Sequence, residues 1–260
     1  MYPDGDAQGT DAATWMEAWT AAHRPDMDFS TTDRIRHTVW LVRAGEASDL
    51  EPLLNAIPAM YLADGHHRIA SSLRLAEKYP DAPSKQHVLA YAVPASQLAI
   101  RPYHRVLRHP GWDVARWEEA FDTVSDCLSW QRIEAGAPAP SSVGHVHVHT
   151  AEQSWALAWN KGLQTAGAVD ADLLQEHLFQ RIFGISDARN DPRLKYAPGT
   201  LDSAGLKAEY AGQPGQALFE LHSVTPEQLM HTADRGGFLP PKSTWIEPKL
   251  RSGLFIHEIQ

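Results

Sequence analysis

Residues 61–70 read Tyr61-Leu62-Ala63-Asp64-Gly65-His66-His67-Arg68-Ile69-Ala70, and the rest of the chain is best organised outward from them. The apolar run Ala59–Ala63 suits a short buried strand, closed by the Asp64-Gly65 turn. Ile69–Tyr79 then places Ile69, Leu73 and Ala76 at helical spacing and meets Pro80 as a stop. A strand that enters a helix through a tight turn leaves the first helical N–H groups without intrahelical partners, where the helix dipole favours an anion. Gly65 allows close approach of backbone to a ligand. His66, His67 and Arg68 place up to three donors beside those N–H groups, and Arg68 offers a bidentate fork. A phosphate cradle is one physical reading of this stretch. The other is that Asp64 caps the helix and the two histidines are exposed turn residues; both stand at this point.

Strand and helix patterns alternate on either side. Helices are predicted over Asp11–His23, Asp49–Ile57, Val114–Asp126, Asp170–Phe183 and Thr225–Thr232, the last opening Thr-Pro-Glu with proline in the first turn. Strands are predicted over Asp33–Arg43, Gln86–Val93, Ile100–Leu107, Gly144–His149 and Gln216–Ser223. The fold class is therefore mixed α/β, with α+β character. Gly136–Ser142 (GAPAPSS) reads as a flexible joint and divides the chain into residues 1–135 and 143–260. No internal repeat is visible.

The chain has 260 residues, 43% of them hydrophobic and 21% charged, which supports a packed core and excludes wholesale disorder. Its longest apolar runs, such as Val88–Pro94, fall far short of the roughly 18 residues that span a bilayer. Met1–Asp11 carries three aspartates and no base, the opposite of a secretory or mitochondrial leader. Cys127 is the single cysteine, so neither an internal disulfide nor a cysteine zinc cluster can form. These features predict a cytoplasmic protein with no membrane partner. The net charge of −9 argues against coating a nucleic acid. The charge is uneven, however: residues 235–260 hold Arg235, Lys242, Lys249 and Arg251 against Glu247 and Glu258, enough to attract a small anion.

Two further motifs bear donors. Pro240-Pro241-Lys242-Ser243-Thr244-Trp245-Ile246-Glu247-Pro248-Lys249 combines a stiff entry with a cation and two hydroxyls, but it lacks the glycines of a Walker loop. A rigid turn with solvated lysines is its plainer reading. Arg101-Pro102-Tyr103-His104-Arg105 adds donors to a shared pocket or is an ordinary polar strand end. His145, His147 and His149 alternate along one strand face, about 6–7 Å apart, too far for one tetrahedral ion to be held easily by all three; they are read as a surface strand. Cys127 reads as a packing residue, and Trp155 with Trp159, four apart, as core. No His-Glu-x-x-His helix, nucleophile elbow or dinucleotide glycine fingerprint is present. These motifs do not identify a set of metal ligands.

Taken together, Tyr61–Ala70, Arg101–Val106 (RPYHRV), Leu173–Tyr196 (LLQEHLFQRIFGISDARNDPRLKY) and Ala233–Ile259 (ADRGGFLPPKSTWIEPKLRSGLFIHEI) resemble a bacterial and archaeal family, domain of unknown function ten-fifteen, over nearly the whole chain. The Asp-Gly-His-His-Arg element is in turn similar to that of free serine kinases on the ParB/sulfiredoxin-like fold. The resemblance implies a partial ParB/sulfiredoxin-like unit followed by a C-terminal α+β portion. It implies a kinase of a small hydroxylated metabolite such as free serine, using ATP or ADP with Mg²⁺. On that basis Asp64, His66 and His67 are the expected catalytic residues. Gly65, His67, Arg68, Lys242, Ser243 and Thr244 are expected at the nucleotide, and His104, Arg105 and Lys249 at the substrate or behind it. Family members usually carry an N-terminal His-Glu-x-Thr-like segment that would supply the base. No His-Glu pair precedes Asp64 here, where the carboxylates are Asp4, Asp6, Asp11, Glu17, Asp26, Asp28, Asp33, Glu46, Asp49 and Glu51. A partner chain supplying that segment is thus among the expectations. The alternatives are a non-catalytic nucleotide- or anion-binding module and a ParB-like nucleic-acid-associated protein, the latter disfavoured by the charge.

Overall fold

The computed structural model describes residues 1–4, 11–46, 48–109, 111–165, 167–249 and 251–259; Asp6, one of the N-terminal aspartates, lies outside them. Two compact units are present, Met1–Leu98 with Arg251–Gln260, and Ala99–Leu250. Gly136–Ser142, predicted as the joint between units, instead connects two strands of one sheet inside the second unit. Among the described residues no helix is long and apolar enough to cross a membrane.

The first unit begins with helix α1 (Ala12–Ala22), whose start is fixed by the Asp11 carboxylate accepting from the Thr14 N–H at 2.8 Å. A hairpin follows, β1 (Met27–Ser30) antiparallel to β2 (Arg36–Val39), with Arg36 paired to Asp28 across it. Then come α2 (Leu50–Asn55) and α3 (His66–Lys78). The buried strand predicted at Ala59–Ala63 and the strand predicted at Gln86–Val93 do not form. Met1 and Tyr2 are the segment that pairs with both: Tyr61 exchanges hydrogen bonds with Met1, and Tyr2 with Val93 and Ala95. These contacts are isolated and form no ladder among the described residues, and Met60 and Leu89 are each 56% exposed.

The second unit carries the main sheet. Its elements in order are β3 (Ala99–Arg108), α4 (Val114–Asp122), β4 (Leu128–Ile133), β5 (His145–His149) and β6 (Ser154–Trp159). A continuous helix follows, α5 (Asp170–Leu173) running through a π-helical stretch (Leu174–Gln180) into α6 (Arg181–Phe183). The chain ends with β7 (Leu194–Pro198), α7 (Ser203–Leu206) with its own π-helical extension (Lys207–Ala211), β8 (Gln216–Leu221), α8 (Pro226–Asp234) and β9 (Thr244–Glu247). The strand order is β4-β6-β5-β8-β3-β7, antiparallel throughout, and β9 pairs with the first half of β3. The class is mixed α/β, as predicted.

The period of two sorts this sheet into two faces. Val146 and Val148 of β5, Trp155, Leu157 and Trp159 of β6, Phe219 of β8 and Leu107 of β3 project to one side. There they pack with Trp117 and Phe121 of α4 and with Leu174, Leu178 and Phe179 of the long helix. Burying each such side chain contributes about 1.5–3 kcal/mol. Val106, Ala197 and Leu218 project to the other side, under Leu206 and Ala211 of α7 and its extension. The register also sends His104, His147, His149 and Glu220 to that second face, since Glu220 is opposite His147 and the pairs Val106–Leu218 and His149–Leu218 fix the alternation.

Candidate functional site

In the first unit the Asp64–Arg68 turn has a defined shape. Gly65 occupies the left-handed region at φ 89° and is the N-cap of α3, with no side chain capping the helix. Among the described residues Asp64 accepts from the adjacent Gly65 N–H, at 2.9 Å, and it does not take the capping role open to it in sequence. The N–H groups of His66 and His67 open the helix and have no carbonyl one turn back within it. Their side chains and that of Arg68 are exposed. Arg68 folds back on the turn: a Cβ built on Gly65 would lie 3.0 Å from its Nη2 and 3.2 Å from its Nε. A bidentate cation, two side-chain donors and the positive end of a 13-residue helix thus meet at one turn, and glycine is favoured there by the φ angle. The donor set fits a phosphate group.

In the second unit the other two motifs meet along β3 and β9. Thr244 is opposite Pro102 and Trp245 opposite Arg101. Arg105, only 4% exposed, donates to the Tyr103 carbonyl and, at 3.0 Å, to the Lys242 carbonyl, and its guanidinium lies 5.2 Å from the Tyr196 ring centre. Burial pushes its pKa down to about 10. Arg105 therefore holds the Lys242 loop in place through its backbone. Lys242 has φ 57°, and its ammonium sits 5.3 Å over Tyr103. Ser243 is buried and donates to the Pro240 carbonyl at 2.8 Å. The Lys249 ammonium lies 4.4 Å over Trp245, and Arg101 is paired with Glu247 at 2.7 Å. Lys242, Lys249 and Arg101 are exposed, Arg101 being paired with Glu247, while Arg105 and Ser243 have internal partners. His104 is buried in the sheet, its Nδ1 accepting the Leu221 N–H at 3.1 Å, and burial lowers its pKa to about 4.

A family model described as "Protein of unknown function (DUF1015)" matches residues 2–178, more than half of the chain. The chain belongs to the DUF1015 family. No curated protein matches this DUF1015 member. Among solved structures it is similar to a free serine kinase in complex with AMP, at 13% identity over 95% of this chain and 83% of that one, with a TM-score of 0.39. It is likewise similar to a mutant free serine kinase in complex with ADP, at 16% identity over the same shares, with a TM-score of 0.38.

Sequence reasoning missed one constellation in this DUF1015 chain. β5 is an interior strand of the sheet, not the surface strand inferred from His145, His147 and His149. His145 is exposed, His147 half-buried and His149 buried. Glu220 comes beside them from β8. Asp170 is a second such residue: it is buried, accepts the Gly144 N–H at 3.0 Å, and burial raises its pKa to about 6. Neither partnership has a local signal, because each joins residues on separate elements. Cys127 and Trp155 are buried, in keeping with packing roles, and burial pushes the Cys127 thiol pKa up.

Proposed function

We propose that this chain binds the phosphates of a nucleotide, ATP or ADP, at Gly65–Arg68 and serves phosphoryl transfer to a small hydroxylated metabolite. The observation that carries the reading is the left-handed Gly65 at the start of α3, with the Arg68 guanidinium folded against it and His66 and His67 exposed beside it. Phosphoryl transfer asks little covalent chemistry of a protein: it needs the phosphates held, their charge answered and the acceptor oriented. The backbone N–H groups of His66 and His67 would hold a phosphate oxygen, and Arg68 would answer its charge with a planar fork. His66 or His67 would contact the transferring group. Asp64 is the carboxylate at the turn and would orient the acceptor hydroxyl or hold Mg²⁺, an ion that supplies further charge neutralisation on the phosphates. Serine as acceptor, and the ParB/sulfiredoxin-like character of this unit, rest on the similarity of the Asp-Gly-His-His-Arg element to that of free serine kinases.

Titration calorimetry with ADP and with ATP plus Mg²⁺ tests binding, and ³¹P NMR of a mixture with serine tests transfer. The reading expects saturable binding that His67→Ala and Arg68→Ala weaken, and a new phosphomonoester signal. Binding without transfer would make the chain a nucleotide-binding module. No binding of either nucleotide would refute the assignment.

A further inference from the structure

The second face of the main sheet holds a cluster that the proposed nucleotide site does not use. Glu220 in β8 is directly opposite His147 in β5, and His149 lies two residues along the same face. One donor atom from each of the three falls within 4.8 Å of the others. His149 and Glu220 are each 1% exposed, and His149 Nε2 is 3.0 Å from Glu220 Oε2. Tetrahedral zinc with bonds of about 2.0–2.1 Å places its donors roughly 3.3 Å apart, so this pair is already near the required spacing and the His147 ring needs a shift of at most about 1.5 Å.

The surroundings match those of a built metal site. His149 Nδ1 is 2.8 Å from the Ser154 hydroxyl, which can accept from Nδ1–H and so leave Nε2 as a lone-pair donor. The Ser203 hydroxyl of α7 donates to the same Glu220 Oε2 at 3.0 Å and helps fix the carboxylate. Such outer partners orient metal-binding histidines and carboxylates. Lys207, the cation that bears on both histidines, has its ammonium held by the carbonyls of Ala135 and Ala137 at 3.0 and 2.9 Å. The hydrogen bonds account for His149, Glu220, Ser154 and Ser203. They do not account for His147, whose Nδ1 is buried with no hydrogen-bond partner among the described residues. Buried polar atoms ordinarily find partners, and a cation held by both imidazoles and the carboxylate would draw this ring into the network.

We propose that His147, His149 and Glu220 bind one divalent transition-metal ion, with zinc best matched to two imidazoles and a carboxylate, pinning β5 to β8 beneath α7. The site lies on a different unit from the nucleotide cradle and stands or falls separately from it.

The test uses the full chain without a histidine tag, stripped with chelator, reloaded with Zn²⁺ and passed through gel filtration for elemental analysis. A parallel Co²⁺ titration reads the visible bands of a four- or five-coordinate nitrogen and oxygen site. One equivalent is expected to remain on the wild type and on His145→Gln, which alters the exposed histidine of the same strand. His147→Gln and Glu220→Gln are expected to lose it, with at least about 100-fold weaker binding. Because Glu220 is buried, its variant is accepted only if near-ultraviolet circular dichroism is unchanged; half-buried His147 supplies the deciding variant in any case. Wild type that retains no stoichiometric metal, or His147→Gln that retains as much as wild type, would overturn the proposal.

Discussion

Gly65→Ala separates a working cradle from an incidental turn. The native φ of 89° lies in the left-handed region, where a residue with a Cβ is disfavoured by roughly 1–2 kcal/mol. The new Cβ would also meet Arg68 at 3.0–3.2 Å, but the contact is with the end of a flexible side chain, which can move by a few tenths of an ångström. Backbone strain therefore dominates. Alanine also narrows the unfolded ensemble, which offsets about 0.4–1 kcal/mol, so the net loss of stability is near 1 kcal/mol. The effect on ligand binding is larger than the effect on stability suggests. If the turn relaxes out of the left-handed conformation in the free variant, the nucleotide must restore it, and a restoration cost of about 1–2 kcal/mol weakens affinity about 5- to 30-fold. Urea denaturation reads the first quantity and ADP titration the second. Gly65→Asn is the control, because asparagine tolerates left-handed φ while still carrying a Cβ beside Arg68. It should retain more affinity than alanine. An alanine variant with ADP affinity within twofold of wild type and unaltered stability would refute the argument from this turn.

Two further outcomes follow from the second unit. Burial raises the Asp170 carboxyl from 3.8 to about 6, so the folded state holds this proton more tightly than the unfolded chain does. Its contribution to stability is fully present below pH 4 and is lost as the pH rises through 6, a change of about 3 kcal/mol. Urea denaturation across that window should show wild type losing this amount relative to Asp170→Asn as the pH rises; parallel curves would contradict the assignment. Phe219→Ala opens a cavity where the ring lies 5.0 Å from Phe179 and 6.2 Å from Trp117 between centres. It should cost about 3–5 kcal/mol in the same assay, and a loss under 1 kcal/mol would mean that this face is not the core.

Periodicity was most informative where an element is amphipathic over its whole length. α4, α8 and the long helix 170–183 were all legible, the last even though its middle is π-helical, and β3 was legible although its second half is buried on both faces. β6 was not. In Ser154-Trp155-Ala156-Leu157-Ala158-Trp159 the alternation is real, but alanines on the second face conceal it, and the spacing of the two tryptophans also fits a helix. The opposite error occurred at Ala59–Ala63, where an apolar run read as a buried strand has no ladder to join and leaves Met60 exposed. Candidate-site residues were legible where the chemistry is contiguous, as in Asp64–Arg68. The junction of Arg105 with the Lys242 carbonyl was only hinted at by the two motifs. The meeting of His147, His149 and Glu220 depends on a strand register that no local pattern encodes, because β5 and β8 are joined through the sheet and not through a turn.

Titration calorimetry of the wild type, Arg68→Ala and His67→Ala with ADP, alongside thermal denaturation of each protein alone, puts the nucleotide cradle to the most direct test. The account predicts a single saturable site in the wild type. It also predicts at least about tenfold weaker binding in Arg68→Ala, a loss near 1.4 kcal/mol, with little change in melting temperature because Arg68 is exposed. Equal affinity in wild type and Arg68→Ala would contradict it.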